Sequence, residues 1–241
     1  MVLPLAGTAR GRSDGYAWEE VFARLLLLVV GSCLSAAAHG GAIVVSDGTF
    51  DPADWSVTVV SSVGGATETV GSSESGGNPG DYRTMSHQLP PFSSIAVVHI
   101  YEAFSYDPGA LGTLSSIDYS EDQIQTVVPF PGAAVGATFA IRQDGEFFVT
   151  GDGTFTTTTW AGWTPTQWNE SSFANPDFSE TGAPIFFGYL RSNSNESGGG
   201  ITNEHGIDNW SVELMPVPEP AHALLLMAGA LVLAGAHRAR G

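Results

Sequence analysis

Three tryptophans are concentrated in one short segment of the chain, and two amide side chains lie among them. Trp160, Trp163 and Trp168 are accompanied by Gln167 and Asn169. A flat indole packs against the apolar face of a sugar ring, and neighbouring amide groups bond the sugar hydroxyls. The segment therefore predicts a carbohydrate-binding site made of these five residues. The alternative is that the tryptophans fill one end of a hydrophobic core.

An acidic run is the second group with catalytic potential, and it reads Asp118-Tyr119-Ser120-Glu121-Asp122. Glycoside hydrolysis needs two carboxyl groups about 5 to 10 Å apart. On a strand, Asp118 and Asp122 share one face. Such a run is more often a solvated turn or a strand edge, so a glycan-active hydrolase is only a distant alternative. Because the chain has neither a G-x-S-x-G nor an H-E-x-x-H sequence, we predict no catalytic residues and no enzyme.

The histidines and the cysteine add no further chemistry. His87, His99 and His205 lie in separate segments without the spacing of a metal-binding motif, so we expect surface or partly buried histidines. Cys33 is the only cysteine and lies near the N-terminus, which excludes a disulfide or thiol chemistry in the rest of the chain.

Short strands separated by turns are predicted to carry these residues. The β-branched and aromatic runs cover 55–60, 95–101, 137–142, 147–150, 154–160, 185–190 and 210–214. Asp144-Gly145 stands between two of these runs and predicts a hairpin. Ser61–Gly80 and Ser192–Gly200 are rich in serine, glycine and asparagine, which predicts long surface loops.

The fold class follows from this pattern. No helical period is sustained outside the two ends of the chain, and many short strands favour an all-β protein. We predict an antiparallel β-sandwich of the jelly-roll or concanavalin-A-like type over residues 39–215. An N-terminal signal helix and a C-terminal hydrophobic helix are expected to flank it.

The charge of the predicted domain is strongly negative. Between His39 and Glu219 three arginines stand against 22 acidic residues, which gives a net charge of −19. Such a field repels phosphate groups, so nucleic acid is excluded as a partner. Docking on anionic lipid is disfavoured for the same reason.

The N-terminal 38 residues have the organisation of a leader and signal peptide. Arg24 precedes the apolar run Leu25–Val30, and the small residues Ala36-Ala37-Ala38 follow. This order is typical of a secretory signal, which predicts export and cleavage after Ala38. Two alternatives stay open: translation from Val21, and lipid attachment at Cys33 through a partial lipoprotein box.

The C-terminal residues 216–241 combine three features in a fixed order. Pro218-Glu219-Pro220 comes first, an apolar stretch over 221–236 follows, and Arg238 and Arg240 close the chain. The apolar stretch spans about 24 Å as a helix at about 1.5 Å per residue, which is short for a transmembrane segment but can be accommodated. The arginines are expected to stay cytoplasmic.

This tail resembles the PEP-CTERM sorting signal of Gram-negative bacteria. Pro218, Glu219 and Pro220 match the motif of that family, and Arg238 and Arg240 match its basic end. The resemblance implies processing by an exosortase and transient residence in the inner membrane. It also implies a final place in the cell envelope or outside the cell, in association with exopolysaccharide and biofilm.

The two ends of the predicted domain carry a second resemblance. Ser46-Asp47-Gly48-Thr49-Phe50 looks like the opening strand of bacterial carbohydrate-binding jelly rolls, and residues 206–212 look like their closing strand. In those modules the two strands pair and share a structural calcium ion. The resemblance makes Asp47 and Asp208 candidate calcium ligands, whereas the residues themselves also fit a turn and a strand end.

These observations predict an exported, non-enzymatic surface or matrix protein. Binding of exopolysaccharide is one interpretation of the tryptophan-rich segment. A purely structural matrix component without a ligand site is the other.

Overall fold

Thirteen strands make up nearly all of the regular structure. The structure is a computed structural model that describes residues 41–151, 153–163 and 166–217. The strands are β1 Ile43–Asp47, β2 Trp55–Val63, β3 Thr67–Gly77, β4 Gly80–Leu89, β5 Ser93–Tyr106, β6 Leu114–Val127, β7 Val135–Gln143, β8 Glu146–Val149, β9 Gly153–Phe155, β10 Ala161–Gly162, β11 Thr166–Trp168, β12 Ile185–Asn195 and β13 Ile201–Pro216. One short helix, α1 (Pro108–Leu111), and two 3-10 turns complete the elements.

The strands form two antiparallel sheets that pack face to face. Sheet I has the order β10-β6-β13-β4-β3, with β1 on β13 and β11 on β6. Sheet II has the order β2-β5-β12-β7-β8, with β9 on β7. The chain crosses between the sheets at most of its connections, as in a jelly roll. The predicted all-β antiparallel sandwich is therefore confirmed, whereas the two predicted flanking helices lie outside the described residues.

Four of the predicted strand runs coincide with strands of sheet II. Residues 55–60, 95–101, 137–142 and 185–190 all lie in strands. The loop predicted for Ser61–Gly80 was wrong, because β3 occupies most of it. The loop predicted for Ser192–Gly200 is confined to its second half, since β12 continues to Asn195. The run 154–160 is a strand only as far as Phe155.

The predicted Asp144-Gly145 hairpin is confirmed. It joins β7 to β8, and both turn residues have positive φ, 51° at Asp144 and 80° at Gly145. Two consecutive positive φ angles are what a type I′ turn requires, and glycine takes the second position without strain.

The core between the sheets is centred on Trp55. Its ring centroid lies 5.0 Å from that of Trp210, at an interplanar angle of 77°, and 5.3 and 5.5 Å from those of Tyr101 and Tyr189. Trp55 belongs to sheet II and Trp210 to sheet I, so their contact spans the sandwich. The Arg83 guanidinium lies 5.1 Å from the Trp55 centroid, within cation–π range.

Gly188 allows close contact at the middle of sheet II, and its replacement tests the strand register. A Cβ atom at Gly188 lies only 1.9 Å from the carbonyl oxygen of His99. We expect Gly188→Ala to lower the free energy of unfolding by about 1 to 3 kcal/mol or more, because β5 and β12 must separate. Denaturant titration measures the loss. Gly48→Ala, whose Cβ meets nothing within 4 Å, is the control, and equal losses in the two variants contradict the register.

Candidate functional site

A cavity of about 300 Å³ lies where the edges of the two sheets meet. Its wall comes from β6 and β10 of sheet I and from β7 and β9 of sheet II. The lining residues are Gln123, Ala137, Gly153, Thr154, Gly162 and Trp163. Its wall therefore combines an aromatic ring, an amide, a hydroxyl and exposed backbone.

Trp163 is the aromatic wall of this cavity. Its backbone N–H donates to the Glu121 carbonyl oxygen at 2.6 Å, and its ring lies edge-on to Tyr119, with 5.7 Å between centroids. Gly153 lets β9 approach closely, since a Cβ there lies 3.4 Å from the Trp163 ring and 2.8 Å from the Ala137 carbonyl oxygen. The ring is only half-buried, so these contacts fix its position while part of it stays accessible.

Gln123 is the polar counterpart of Trp163. Its Oε1 atom is buried and accepts no hydrogen bond from any described residue. A buried carbonyl oxygen without a donor costs free energy. Sequence reasoning missed Gln123, because its position in the cavity depends on the register that sets it opposite Ile207 and Ala161.

The other residues of the predicted carbohydrate site have different surroundings. Trp160 donates to the Gly76 carbonyl oxygen at 2.8 Å and packs edge-on against Tyr82. Trp168 packs against the main core. Gln167 is exposed on β11, and Asn169 accepts from Ser171 in a local turn. Of the five predicted residues only Trp163 lines the cavity.

The acidic run lies on a strand rather than in a turn. Asp118 and Asp122 lie on β6 and alternate with Tyr119 and Glu121, which face the interior and are fully buried. The Oδ2 atom of Asp122 accepts from the Asn209 amide at 2.6 Å. Glu121 is therefore a core residue, which its place in an acidic run did not predict.

Arg191 and Glu121 form an ion pair inside the sandwich. Both side chains are fully buried. Arg191 donates through Nη2 to Oε1 of Glu121, and the hydroxyl of Tyr119 donates to Oε2. Because Arg191 is on β12 and Glu121 on β6, the pair links the two sheets.

The predicted surface or partly buried position of the histidines was wrong, since all three are fully buried. The Oε1 atom of Glu68, on β3, contacts the Nε2 atoms of both His87 and His99, and each distance is 3.1 Å. His205 packs edge-on against His87, with ring centroids 4.8 Å apart. The group has no signature in sequence because its members come from four strands.

The proton positions in this histidine cluster follow from its partners. The Nδ2 of Asn193 donates to the Ala134 carbonyl oxygen at 2.7 Å, so Oδ1 of Asn193 accepts from Nδ1 of His87 at 2.5 Å. The other ring nitrogen of His87 faces the carboxylate of Glu68. His205 has no hydrogen-bond partner for either ring nitrogen among the described residues.

Burial and neighbouring charge shift the pKa values of this cluster. Burial raises the pKa of Glu68, but hydrogen bonds and charge from His87 and His99 outweigh burial and lower it to about 2. Burial lowers the pKa of His99 despite its contact with Glu68. Burial, together with His87 and Arg191, holds the pKa of His205 well below its usual range. The fold therefore favours neutral His99 and His205 beside an ionised Glu68.

Asp47, one of the two predicted calcium ligands, accepts hydrogen bonds from protein donors. Its Oδ1 accepts from the backbone of Thr49 and of Phe50, and its Oδ2 accepts from the Trp55 indole at 2.6 Å. Burial raises the pKa of Asp47, but these hydrogen bonds outweigh burial and lower it.

Asp208 is bonded to protein donors as well. Its Oδ2 accepts from the backbone of Asn78 and its Oδ1 from the backbone of Asn209. Across residues 41–151, 153–163 and 166–217, no cluster of three or more His, Cys, Asp or Glu side chains is arranged to hold a metal ion. The assignment of Asp47 and Asp208 as calcium ligands stays a prediction.

The surface of the described domain offers no unpaired cationic side chain. Arg83 and Arg191 are buried. Arg142 is held by Glu102 through two hydrogen bonds of 2.6 and 2.7 Å. Between residues 41 and 217 these are the only basic side chains apart from histidine, so the exterior presents carboxylates without free cations.

No protein-family model matches the sequence, and no curated protein matches it. Solved structures do show similarity. A family 11 carbohydrate-binding module from Clostridium thermocellum, in complex with a beta-1,3-1,4-mixed-linked tetrasaccharide, is similar with a TM-score of 0.42 and 14% identity, over 74% of this chain and 98% of that chain. The CBM22-1 xylan-binding domain from Paenibacillus barcinonensis is similar with a TM-score of 0.38 and 12% identity, over 73% and 94%.

The residues predicted to direct sorting, Pro218, Glu219, Pro220, Arg238 and Arg240, lie outside the described residues. No helix within the described ranges is long and apolar enough to cross a membrane.

The buried histidines predict that acid destabilises the fold. The folded-state pKa values of His99 and His205 lie below the usual 6.5, so below pH 6.5 the unfolded chain takes up protons that the folded chain refuses. Stability is complete above this pH and falls by up to about 1.4 kcal/mol per pH unit for each such histidine. Glu68 adds a further loss between its usual pKa of 4.5 and about 2.

Denaturant titration between pH 7 and pH 5 measures this slope. His205→Leu removes one of the buried groups without removing a hydrogen bond to a described residue, so we expect a shallower pH dependence in this variant. The same slope in wild type and variant contradicts the assignment of His205 as a neutral buried base.

Proposed function

We propose that the sandwich binds an uncharged glycan at the cavity beside Trp163, without catalysis. The observation that carries this proposal is the pairing of the half-buried Trp163 indole with the Gln123 side chain in the wall of one cavity. An indole face suits the C–H groups of a sugar ring, and an amide side chain such as Gln123 suits sugar hydroxyls.

The size of the cavity limits how much of a glycan it holds. A volume of about 300 Å³ is at the lower end of small-molecule sites. The cavity therefore encloses one or two sugar units, and the rest of a polysaccharide extends over the edges of β9 and β10. The hydroxyl of Thr154 and the backbone at Gly153 and Gly162 add polar groups around the ring.

The charge of the domain selects the class of glycan. Every described arginine is buried or paired, whereas most of the described carboxylates lie outside the core. Acidic polysaccharides gain no ion pair here and are repelled by the field. Neutral glycans are therefore the proposed class.

We further propose that the chain is exported and sorted to the envelope or the extracellular matrix through its tail. This proposal rests on the resemblance of residues 217–241 to the PEP-CTERM signal and on the signal-like order of residues 24–38. Exosortase is the proposed processing partner and exopolysaccharide the proposed neighbour.

Substitutions in the cavity test glycan binding. We expect Trp163→Leu to weaken binding of a neutral glucan by about tenfold or more, because stacking contributes at least about 1.4 kcal/mol. Gln123→Leu should weaken binding by several-fold without lowering stability, since it removes an unsatisfied buried group. Isothermal titration across a panel of neutral and acidic polysaccharides measures both effects.

Trp168→Leu is the matched control, because it removes the same side chain from the same segment outside the cavity. Equal losses for Trp163→Leu and Trp168→Leu, at equal melting temperatures, contradict a site at the cavity. No binding to any polysaccharide by the folded wild-type chain contradicts the proposal and favours a structural matrix protein.

Replacement of the tail motif tests sorting. Pro218→Ala, Glu219→Ala and Pro220→Ala together should leave an uncleaved precursor in the inner membrane, measured by fractionation and immunoblotting of the native host. Arg238→Lys with Arg240→Lys keeps the positive charge and should be processed normally. Normal processing of the triple variant contradicts the assignment.

A further inference from the structure

Two aromatic rings meet on the outer face of sheet I, close to the cavity. On β4 the residues Arg83 and Met85 are buried in the core, so Tyr82 points to the opposite, outer face of the sheet. Its ring meets that of Trp160 at an interplanar angle of 84°, with 5.2 Å between the ring centroids. Both side chains are half-buried, so part of each ring is open to solvent. These two rings form the aromatic corner.

Contacts with the backbone hold both rings of the aromatic corner in place. The indole Nε1 of Trp160 donates to the carbonyl oxygen of Gly76 at 2.8 Å. The ring of Tyr82 lies over Gly206, where an added Cβ atom would be only 2.7 Å from Cδ2 and Cε2 of the tyrosine. Rings that are already held lose little conformational freedom when a ligand binds, which favours affinity.

Polar side chains lie beside the aromatic corner. Asp122 pairs with Gly162 in the register of β6 and β10 and is half-buried. Its Oδ2 atom accepts from the Asn78 amide at 3.1 Å and from the Asn209 amide at 2.6 Å. A carboxylate can accept about four hydrogen bonds, so these two donors leave capacity for sugar hydroxyls. The corner therefore combines aromatic surface with polar groups, as a sugar ring requires.

The short edge strand β10 connects the aromatic corner to the cavity. Trp160 directly precedes β10 and Trp163 directly follows it, and three residues span at most about 11 Å. Residues an odd number of positions apart on a strand point to opposite sides. Gly162 belongs to both places, since it lines the cavity and an added Cβ atom there would be 3.1 Å from Oδ1 of Asp122. Because it is a glycine, it places no side chain between them.

We propose that the aromatic corner is a second sugar subsite, which holds the part of a neutral oligosaccharide that leaves the cavity over β10. This inference rests on the proposed binding of a glycan at the cavity. Since the cavity encloses one or two sugar units, only a longer oligosaccharide reaches the corner. The carboxylate of Asp122 repels acidic sugars at this subsite, so both places favour the same neutral class.

The dependence of affinity on oligosaccharide length tests the second subsite. Calorimetric titration of the full chain, in mild detergent, uses a disaccharide and a hexasaccharide of a neutral glucan. The wild-type chain should bind the hexasaccharide about tenfold more tightly or better. Tyr82→Leu and Trp160→Leu should each weaken hexasaccharide binding by about fivefold or more, because each removes stacking surface outside the cavity. Binding of the disaccharide should stay unchanged in both variants.

Tyr82→Phe is the matched control, because it keeps the aromatic ring and should bind the hexasaccharide like the wild-type chain. Near-ultraviolet circular dichroism checks that each variant is folded. Equal losses for the two oligosaccharides overturn the inference, since the variants would then act on the cavity. Unchanged hexasaccharide affinity in both leucine variants also overturns it, but leaves the cavity site standing. Binding of neither oligosaccharide by the wild-type chain contradicts the proposed function, and this inference with it.

Discussion

The ion pair between Arg191 and Glu121 joins the two sheets through two side chains that are fully buried. Burying either charge alone is costly, and loss of one partner from such a pair typically costs about 3 to 5 kcal/mol. The sandwich therefore closes only when β12 and β6 reach the register that brings them together. The neighbouring histidine cluster follows the same constraint, because Glu68 balances charge on one side while Arg83 and Arg191 disfavour protonation of His99 on the other. Polar groups, and not only apolar packing, thus fix how the sheets face each other.

The same buried polar groups explain which strands can be predicted from sequence. In sheet II the inward positions of β5 and β7 are mostly apolar, so the hydrophobic runs identify the strands directly. In β3, β4 and β6 the inward positions include Glu68, Arg83 and Glu121, and the alternation of apolar and polar residues disappears. The stretch 61–80 therefore has the composition of a loop although most of it is a strand. These residues can be buried because they bond to partners on distant strands. Those partners lie far away in the sequence, so the sequence does not reveal the pairs.

The residues of the candidate site also differ in whether the sequence predicts them. Trp163 can be selected from sequence because tryptophan type and clustering indicate a site, but the same reasoning selects Trp160 and Trp168, which have other contacts. Gln123 has no such signal. It reaches the cavity wall because β6 pairs with β10 on one side and β13 on the other, which sets it opposite Ala161 and Ile207, and register of this kind is a property of the assembled sheets. The cavity itself exists only where two sheet edges meet, so its shape cannot be derived from any single segment.

The contact between Trp55 and Trp210 has an optical consequence. The two indoles belong to different sheets, and their rings lie 5.0 Å apart at 77°. Such a fixed, chiral arrangement of two chromophores gives a strong near-ultraviolet circular dichroism signal, which vanishes when specific packing is lost even if strands persist. This near-ultraviolet signal therefore reports directly on the contact between the two sheets. It distinguishes a closed sandwich from separated sheets without any attached label.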